Sequence, residues 1–258
     1  MDIYRPMQKS TGVPIVFYIH GGAFRSLSKD THWVMGRNFA QAGYLVVSIN
    51  YRLAPKDPYP AAIEDVCAAW QWMLENIESY GGDLSRIAIA GESAGANLTM
   101  ALAFCLLSRR SEPWAQRVYD AGVTPSVLLP ACGIFQVSHP KRFPKRGLVS
   151  RLNFYNVLDL QLCYLPEPEP MTLADPVCLF ENCTLSRSLP PAFLCVGTWD
   201  PLLGDTQQMA SVLRQKGGFV AERYYEHEIH AFHALIFRKK ARQCWREMID
   251  FADQYLKP

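Results

Sequence analysis

Short, continuously apolar runs alternate along the chain with longer stretches in which apolar residues recur at helical spacing. Six of the runs have the length and the β-branched or aromatic content of buried strands. They lie at residues 14–19, 44–49, 87–90, 123–129, 192–196 and 219–225. Strands that alternate with helices predict right-handed βαβ units and a mostly parallel sheet, so the pattern indicates the α/β fold class.

Helical periodicity fills the segments between these runs. It covers residues 63–77, 94–107, 205–215 and 241–256. The second of these patterns is apolar on nearly every side, as expected of a helix packed against the middle of a sheet, whereas the last two are amphipathic. In parallel sheets, sites form beyond the carboxyl ends of the strands. We therefore expect the chemistry in the loops that follow the predicted strands.

One segment, residues 133–191, breaks this alternation. It follows the fourth predicted strand, is rich in proline, basic and aromatic residues, and shows one helical pattern around residues 152–164. Four prolines are expected to divide it into loops: Pro166, Pro168, Pro170 and Pro176. We interpret it as a cap or lid that lies over the sheet edge within a single domain, residues 1–258. Phe154 and Tyr155 could line a pocket there, but packing on the core is favoured.

A serine between two glycines follows the third predicted strand and precedes a helical pattern. The motif Gly91-Glu92-Ser93-Ala94-Gly95 fits G-x-S-x-G, the pattern of a nucleophile elbow. The alternative is an ordinary glycine turn. The strand and helix on either side favour the elbow, in which a Cβ on either glycine would clash. A helix that begins at Ala94 would direct free N–H groups and its positive end toward Ser93.

A second glycine-rich loop, His20-Gly21-Gly22-Ala23-Phe24, follows the first predicted strand. Ester hydrolysis forms a tetrahedral intermediate whose negative oxygen needs donors, and backbone N–H groups of such a loop can provide them. We predict an oxyanion hole with N–H groups from Gly22 and Ala23 and a third from Ala94. Gly21 belongs to the same loop and would allow it to turn, while its histidine is expected to be structural. The alternative is a plain tight turn.

A serine hydroxyl becomes a good nucleophile only when a base takes its proton. Of the six histidines, only His227, His230 and His233 follow a late strand. His230 is the predicted base, because it lies a short loop beyond the sixth strand and precedes a small residue. The other two are interpreted as surface or packing residues, with His227 at the strand end and His233 beginning the next helix. Asp200, after the fifth strand, is the predicted acid, and its rival Asp205 is interpreted as a helix N-cap.

Further motifs accompany these loops. They are Tyr51-Arg52-Leu53-Ala54-Pro55, the segment 58–65 that begins Pro-Tyr-Pro-Ala-Ala, the Asp200-Pro201-Leu202 turn, and a His-x-Phe sequence after the last strand. With both glycine loops in the same order, they make the chain resemble the hormone-sensitive-lipase-like esterases of the α/β-hydrolase fold. The resemblance runs from residue 2 to nearly the C-terminus and is weakest between residues 133 and 170.

This resemblance implies an α/β-hydrolase fold in which a reduced cap follows the strand near residues 123–129. It implies an esterase that prefers short to medium acyl chains and uses no cofactor. It also supports Ser93, Asp200 and His230 as the catalytic residues, position by position.

Several positions depart from the family pattern. Ala23 stands where the third glycine of His-Gly-Gly-Gly is usual, which keeps the N–H but can change its direction and the space beside it. Glu92 stands where aspartate is frequent, and Ala96 replaces a common glycine. Relatives usually carry helical residues before the segment that corresponds to residues 2–6, and those residues build part of the cap. We therefore expect that N-terminal part of the cap to be absent and the pocket to be open.

The predicted function is hydrolysis of carboxylic esters by two-step acyl transfer. Ser93 attacks the ester carbonyl, His230 takes the proton, and water then hydrolyses the acyl-enzyme. Activity is expected to fall in acid, because a protonated His230 is no longer a base. Two alternatives stay open: a non-catalytic ligand receptor or interaction protein on the same scaffold, and an amidase, deformylase or lyase that uses the same triad.

Composition excludes some other classes of protein. The chain has 258 residues, 19% of them charged, and a net charge of +2 without a strongly single-signed stretch, so neither nucleic acid nor an anionic membrane is an expected partner. It contains no run of 18 apolar residues, so no membrane span is predicted. The expected partner is a small-molecule ester. The oligomeric state stays open, with a dimer among the possibilities.

The eight cysteines are scattered and form no Cys-x-x-Cys pair. We interpret them as small buried hydrophobic residues and expect neither a metal centre nor a disulfide between Cys178 and Cys183. The first six residues are too few and too polar for a targeting segment. A cytoplasmic location is therefore expected.

Overall fold

The computed structural model describes residues 1–7, 11–142, 148–167, 169 and 171–257, except for the side chains of residues 148–154. The strands of the described residues are β1 (Asp2–Tyr4), β2 (Val13–Ile19), β3 (Leu45–Ile49), β4 (Gly82–Glu92), β5 (Val127–Ala131), β6 (Ala192–Gly197) and β7 (Val220–Tyr225). The α-helices of the same residues are α1 (Trp33–Gln41), α2 (Ala61–Asn76), α3 (Ala94–Leu107), α4 (Pro113–Asp120), α5 (Leu148–Tyr164), α6 (Pro176–Asn182), α7 (Leu203–Gln215) and α8 (Lys239–Leu256). Short 3₁₀ turns lie at Ile77–Tyr80, Pro140–Arg142 and Phe232–Ala234.

The strands form one sheet in the order β1-β3-β2-β4-β5-β6-β7. β1 pairs with β3 in the antiparallel direction, with Ile3 opposite Val47. The other neighbouring strands are parallel, and in the central pair Ile19 of β2 lies opposite Gly91 of β4. The loops that follow the parallel strands therefore meet at one edge of the sheet. The predicted α/β fold with a mostly parallel sheet flanked by helices is confirmed.

Helices cover both faces of the sheet, because successive residues of a central strand point to opposite sides and are apolar on both. In β2, Ile15 and Phe17 belong to the core layer formed with α2 and α3. Val16 and Tyr18 belong to the opposite layer, formed with α1 and α8. Every residue of α3 is buried, which explains its all-round apolar pattern. In the part of the chain that the structure describes, each helix is too short or too polar to cross a membrane.

The structure differs from the predicted elements at short or polar segments. The apolar pattern misses β1, since three residues are too few to show a period. β4 begins at Gly82 rather than at residue 87, because its polar first residues still pair with the start of β2. β5 begins at Val127, later than the predicted residue 123. The pattern also misses α1, α4 and α6, which have nine residues or fewer.

The segment 133–191, predicted to contain one helix, contains both α5 and α6. Pro176 is the first residue of α6, where a missing N–H costs nothing, so the prediction that it lies in a loop is wrong. Pro168 and Pro170 lie outside the described residues. Of the α5 side chains that the structure describes, those of Val157, Leu160 and Tyr164 are buried against the core.

Two aromatic residues of α5 were expected to pack on the core. Tyr155 is 59% exposed, so this prediction is wrong for it. The side chain of Phe154 lies outside the described residues. Sequence periodicity could not settle the point, because the pattern of α5 is nearly equally apolar on all sides.

The eight cysteines are free, so Cys178 and Cys183 form no disulfide. Five are buried as predicted: Cys67, Cys105, Cys132, Cys195 and Cys244. The other three, Cys163, Cys178 and Cys183, are partly exposed, contrary to the prediction that the cysteines are buried.

Candidate active site

The sharp turn between β4 and α3 places Ser93 at the carboxyl edge of the sheet. Ser93 has φ of 55° and ψ of −117°, and such strained backbone costs about 1–3 kcal/mol. Its N–H donates to the Ala131 carbonyl at 3.0 Å, which ties the turn to β5. A Cβ added to Gly95 would lie 2.1 Å from the Ile19 carbonyl oxygen, and one on Gly91 would lie 2.6 Å from the Gly95 backbone. The two glycines are therefore required by close backbone packing.

The structure brings Ser93, His230 and Asp200 together, although they lie on three separate loops. Ser93 Oγ is 2.9 Å from His230 Nε2, and His230 Nδ1 is 2.8 Å from Asp200 Oδ2. The Asp200 side chain is fully buried, and its second oxygen accepts the Leu202 N–H at 2.8 Å. A carboxylate that accepts the Nδ1 proton assigns the tautomer in which Nε2 is free to accept from the serine hydroxyl.

The two neighbouring histidines lie apart from this hydrogen-bond chain. His227 is exposed, in a turn beyond the end of β7 at Tyr225. His233 is buried, and burial lowers its pKa to about 4, so it is neutral at physiological pH. It lies in the 3₁₀ turn Phe232–Ala234 and not at the start of α8, contrary to the prediction. Its backbone carbonyl accepts the Trp245 Nε1 proton at 2.9 Å. The surface and packing roles predicted for these two residues agree with this placement.

Asp205, the rival acid, has a structural position. The prediction that it is an N-cap is wrong, because α7 begins at Leu203 and Asp205 lies inside its first turn. Its buried carboxylate accepts the Phe135 N–H at 2.9 Å and pairs with Arg142 at 2.8 Å. It therefore fixes the segment after β5 to α7.

The loop after β2 supplies free backbone donors beside Ser93. We call its residues 20–25 the oxyanion loop, after the role that the sequence predicts. Among the described residues, no protein acceptor takes the N–H groups of Gly22 and Ala23, and Ala94 begins α3, where N–H groups lack helical partners. Ala23 has φ of 53°, a left-handed conformation that favours glycine, so its alanine stores strain. Gly21 donates its N–H to Glu92 Oε1 at 2.5 Å. Its inclusion among the oxyanion-hole residues is therefore corrected, since this N–H is already occupied.

Sequence reasoning treated Glu92 only as a replacement for aspartate. The structure shows it buried behind Ser93, where it accepts hydrogen bonds from Gly21 and from the His32 ring. A charged residue inside an elbow of otherwise small residues is the signal that could have drawn attention to it. Nothing in the sequence indicates His32 as its partner.

A cavity of about 170 Å³ opens beside Ser93 and His230. The other lining residues come from the oxyanion loop, the segment after β5, helix α5 and the loop after β6: Ala23, Arg25, Ile134, Asn156, Val157, Leu160, Pro201 and Leu202. Most are apolar, and Arg25 is the one charged side chain among the described lining residues apart from the histidine. The cavity can therefore hold an apolar group next to the serine hydroxyl.

Among the described residues, one group has the atom types and spacing of a metal site: Cys132, Asp200 and His230, whose donor atoms lie within 4.8 Å of one another. The His230 and Asp200 atoms already bond to each other and to Ser93. The geometry thus fits a hydrogen-bonded triad, and the Cys132 thiol lies buried beside it.

Comparisons with known proteins agree with this arrangement. A family profile described as alpha/beta hydrolase fold matches residues 16–234. Carboxylesterase NlhH of Mycobacterium tuberculosis is 36% identical over 227 residues, which cover 83% of this chain and 65% of that protein. Esterase LipI of Mycobacterium tuberculosis is 34% identical over 214 residues, which cover 79% of this chain and 61% of that protein. The chain thus spans less than two thirds of the length of these relatives.

A solved structure is also similar over nearly the whole chain. It is EstE1, a thermophilic carboxylesterase cloned from a metagenomic library, with a TM-score of 0.83 and 25% sequence identity. The similarity covers 99% of this chain and 84% of the other. The matched profile includes both glycine loops and all three residues of the hydrogen-bonded triad. The chain belongs to the hormone-sensitive-lipase-like family of the α/β-hydrolase fold.

Proposed function

We propose that this protein is a serine carboxylesterase that hydrolyses short- to medium-chain acyl esters. One observation carries the proposal: the unbroken hydrogen-bond chain from Ser93 Oγ through both nitrogens of His230 to Asp200, with distances of 2.9 and 2.8 Å. The named activities of the two curated relatives support it. A non-catalytic receptor on the same scaffold would not need this alignment.

Each residue of the chain has a chemical role in the proposed mechanism. His230 Nε2 takes the proton of Ser93 as its oxygen attacks the ester carbonyl, and the buried Asp200 carboxylate stabilises the imidazolium that forms. The proton then passes to the leaving alcohol. Water, activated by the same base, hydrolyses the acyl-enzyme. These steps need only protein groups and water, so the proposed mechanism includes neither a cofactor nor a metal.

The N–H groups of Gly22, Ala23 and Ala94 form the proposed oxyanion hole. The first two find no acceptor among the described residues, and the third begins α3, whose positive end faces Ser93. Loss of one such donor typically lowers kcat by about 10²–10³. The hole therefore provides a large part of the proposed rate acceleration.

The cavity supports a preference for short acyl groups. Its volume of about 170 Å³ lies below the roughly 300–1,000 Å³ of pockets that enclose drug-sized ligands. Ile134, Val157 and Leu160 give it an apolar wall, which suits an alkyl chain more than a polar acyl group.

We further propose that residues 133–191 form a cap within a single domain. Support comes from α5, which contributes Asn156, Val157 and Leu160 to the cavity wall, and from its ion pair between Asp159 and Arg25 of the oxyanion loop. The acyl or alcohol group would then lie between the cap and the sheet edge.

A cytoplasmic location is also part of the proposal. Eight free cysteines support it, because reducing compartments keep thiols unpaired. The net charge of +2 supports a small-molecule partner more than nucleic acid.

Hydrolysis of p-nitrophenyl acetate, butyrate, octanoate and laurate by wild type and by Ser93→Ala tests the function. We expect turnover that decreases from the short to the long chains and disappears in Ser93→Ala. A fluorophosphonate probe should label wild type and leave Ser93→Ala unlabelled. A matched amide distinguishes the esterase from an amidase, since an amidase would cleave it at a comparable rate. Folded wild type that neither turns over an ester nor takes the label would contradict the proposal.

A further inference from the structure

A group of polar side chains with little exposure lies near Ser93 but does not line the cavity, and the proposed triad does not use it. We call it the rear cluster, and it consists of Tyr18, His20, His32 and Glu92. Glu92 is 3% exposed, and the His32 side chain is 12% exposed. An ionised carboxylate at such a depth is costly unless hydrogen bonds and an opposite charge compensate it.

Glu92 joins three parts of the fold through its carboxylate. Oε1 accepts the Gly21 N–H at 2.5 Å and lies 2.8 Å from His32 Nε2, while Oε2 accepts the Tyr18 hydroxyl. The hydrogen bond from Gly21 fixes the residue just before Gly22 and Ala23, the two proposed loop donors of the oxyanion hole. The contact with His32 joins Glu92 to the segment that leads into α1. The position of the oxyanion loop therefore depends on Glu92.

The contacts of His32 identify its charge. Nε2 faces the Glu92 carboxylate, and Nδ1 lies 3.0 Å from the Ser28 carbonyl oxygen. The Thr31 hydroxyl is 2.9 Å from Nδ1 but donates its single proton to the Ser28 carbonyl at 2.7 Å. Both ring nitrogens thus face acceptors, and a neutral imidazole has only one N–H. The Ser28 carbonyl beside Nδ1 and the Glu92 carboxylate beside Nε2 therefore favour a doubly protonated His32.

The electrostatics agree with this geometry. Burial opposes the charge on His32, but the hydrogen bond and attraction of Glu92 outweigh it, so the His32 pKa lies above its ordinary value of 6.5. Burial also opposes the Glu92 carboxylate, and the hydrogen bond and charge of His32 bring its pKa below the ordinary value. The two residues therefore form a buried ion pair.

Among the residues that the structure describes, no other group near Glu92 carries the positive charge that would balance its carboxylate. The other titratable groups that interact with the Glu92 carboxylate or the His32 ring are Tyr18, Tyr51, Cys132, His20 and His233. Burial raises the pKa of the Cys132 thiol, so it is neutral. Burial raises the pKa of both tyrosines, so they are neutral. Burial lowers the pKa of both histidines, so they are neutral as well.

We propose that the Glu92–His32 ion pair positions the oxyanion loop and makes the turnover rate depend on the charge of His32. The inference rests on the proposed esterase function. Neither residue touches the proposed substrate site, and both act through the Gly21 N–H. When His32 loses its proton at alkaline pH, Glu92 remains buried without a cation and its hold on the loop weakens. The N–H groups of Gly22 and Ala23 then move from the oxyanion position, which lowers kcat more than it raises KM.

The pH dependence of kcat and KM for p-nitrophenyl butyrate tests this role, measured from about pH 6 to about pH 10 to bracket histidine and alkaline titrations. The variants are His32→Gln and Glu92→Gln. His139→Gln is the matched control, because His139 is exposed and lies outside the rear cluster.

We expect wild type and His139→Gln to lose kcat toward alkaline pH. His32→Gln should have a kcat about tenfold lower, less than the loss of a whole oxyanion donor, with KM nearly unchanged and no alkaline fall. Glu92→Gln keeps an acceptor for the Gly21 N–H but removes the charge that holds the His32 proton. No buried carboxylate is then left without a cation at high pH, so this variant should also lack the alkaline fall.

Ring-nitrogen NMR of histidine-labelled wild type measures the charge directly. The His32 signals are those missing from the spectrum of His32→Gln. At about one pH unit above the ordinary histidine pKa of roughly 6.5, where a histidine of that pKa is mostly neutral, both His32 nitrogens should be protonated. A neutral His32 at that pH would overturn the inference.

The outcomes separate this inference from the proposed function. If folded wild type shows no turnover that depends on Ser93, the proposed function fails and the positioning role fails with it, whatever the NMR shows about His32. If wild type is active and His32→Gln has the same kcat and the same fall of kcat at alkaline pH as His139→Gln, the positioning role alone is wrong.

Discussion

At the scale of single residues, backbone geometry limits which side chains the site accepts. Ser93, Ala23 and Ala231 all adopt positive φ without being glycine, and all three lie at or beside the proposed catalytic loops. Such conformations cost about 1–3 kcal/mol each and persist only where the surrounding structure holds them. For Ser93 and Ala23, the contacts that hold the backbone are the close approach of α3 to β2 and the hydrogen bond from Gly21 to Glu92.

Gly95→Ala should destabilise the protein by several kcal/mol and abolish activity. Its Cβ would lie 2.1 Å from the Ile19 carbonyl oxygen, so β2 or α3 must move. Gly204→Ala is the matched control, because Gly204 is likewise the second residue of a helix. Beyond the adjacent residues and the backbone of that helix, its added Cβ would meet no atom of the described residues within 4 Å. The control should gain up to about 1 kcal/mol from helix propensity. Urea unfolding of both variants measures the difference, and equal stabilities would contradict the steric argument.

Ala23→Gly should accept longer acyl chains. The Ala23 Cβ lines the cavity, and its left-handed backbone is strained, so glycine removes bulk and strain together. The stability gain should stay within about 1 kcal/mol, because glycine also raises the entropy of the unfolded chain. The octanoate-to-butyrate ratio of kcat/KM measures the effect. Ala231→Gly relieves the same kind of strain outside the cavity lining, so a similar ratio change in that variant would refute the pocket explanation.

At the scale of secondary-structure elements, an ion pair and a ring stack among the described residues both hold helix α5 to the oxyanion loop. The Arg25–Asp159 ion pair is solvent-exposed on both sides, at 39% and 59%. The Phe24 and Tyr164 rings are buried and stacked, with centroids 3.8 Å apart. Exposed ion pairs contribute about 0–1 kcal/mol, so the stacked pair is expected to dominate.

Tyr164→Ala should therefore lower stability by about 3–5 kcal/mol, as for other large aromatic truncations, and raise KM because both the cavity wall and Phe24 lose support. Asp159→Asn should change stability by less than about 1 kcal/mol. Thermal unfolding and the KM for p-nitrophenyl butyrate measure both effects. A larger loss in Asp159→Asn than in Tyr164→Ala would show that charge, and not packing, holds α5.

The strands and the catalytic loops could be predicted from the sequence, whereas contacts between remote segments could not. Continuous apolar runs locate β2, β3 and β6, and the rule that sites follow strand ends leads to Ser93, Asp200 and His230. Local pattern cannot assign Asp205, whose partners Phe135 and Arg142 come from a remote segment. The His32–Glu92 pair is likewise a contact between remote segments. Contacts of this kind depend on how the helices and loops pack, which no short window of sequence contains.

At the scale of the whole molecule, buried ionisable groups link stability to pH. Two buried histidines, His20 and His233, have a lowered pKa, so the folded state resists their protonation and loses stability as pH falls below about 6.5. His32 acts in the opposite direction, because its folded pKa lies above 6.5. Its contribution is fully present below about pH 6.5 and is lost as pH rises through the folded value.

A comparison of wild type with His32→Gln isolates this contribution. The difference in unfolding free energy between them should be largest from about pH 4.5, the ordinary glutamate value, to about pH 6.5, and should shrink at higher pH. Below that range it should shrink again as Glu92 takes up a proton, since its folded pKa is lowered. The effects of burial on His20 and His233 are present in both proteins, although His32 itself adds to the lowering of both pKa values. Urea unfolding across this range measures it, with His139→Gln as the control, and a difference that does not change with pH would mean that folding leaves the His32 pKa unchanged, which would contradict the ion pair.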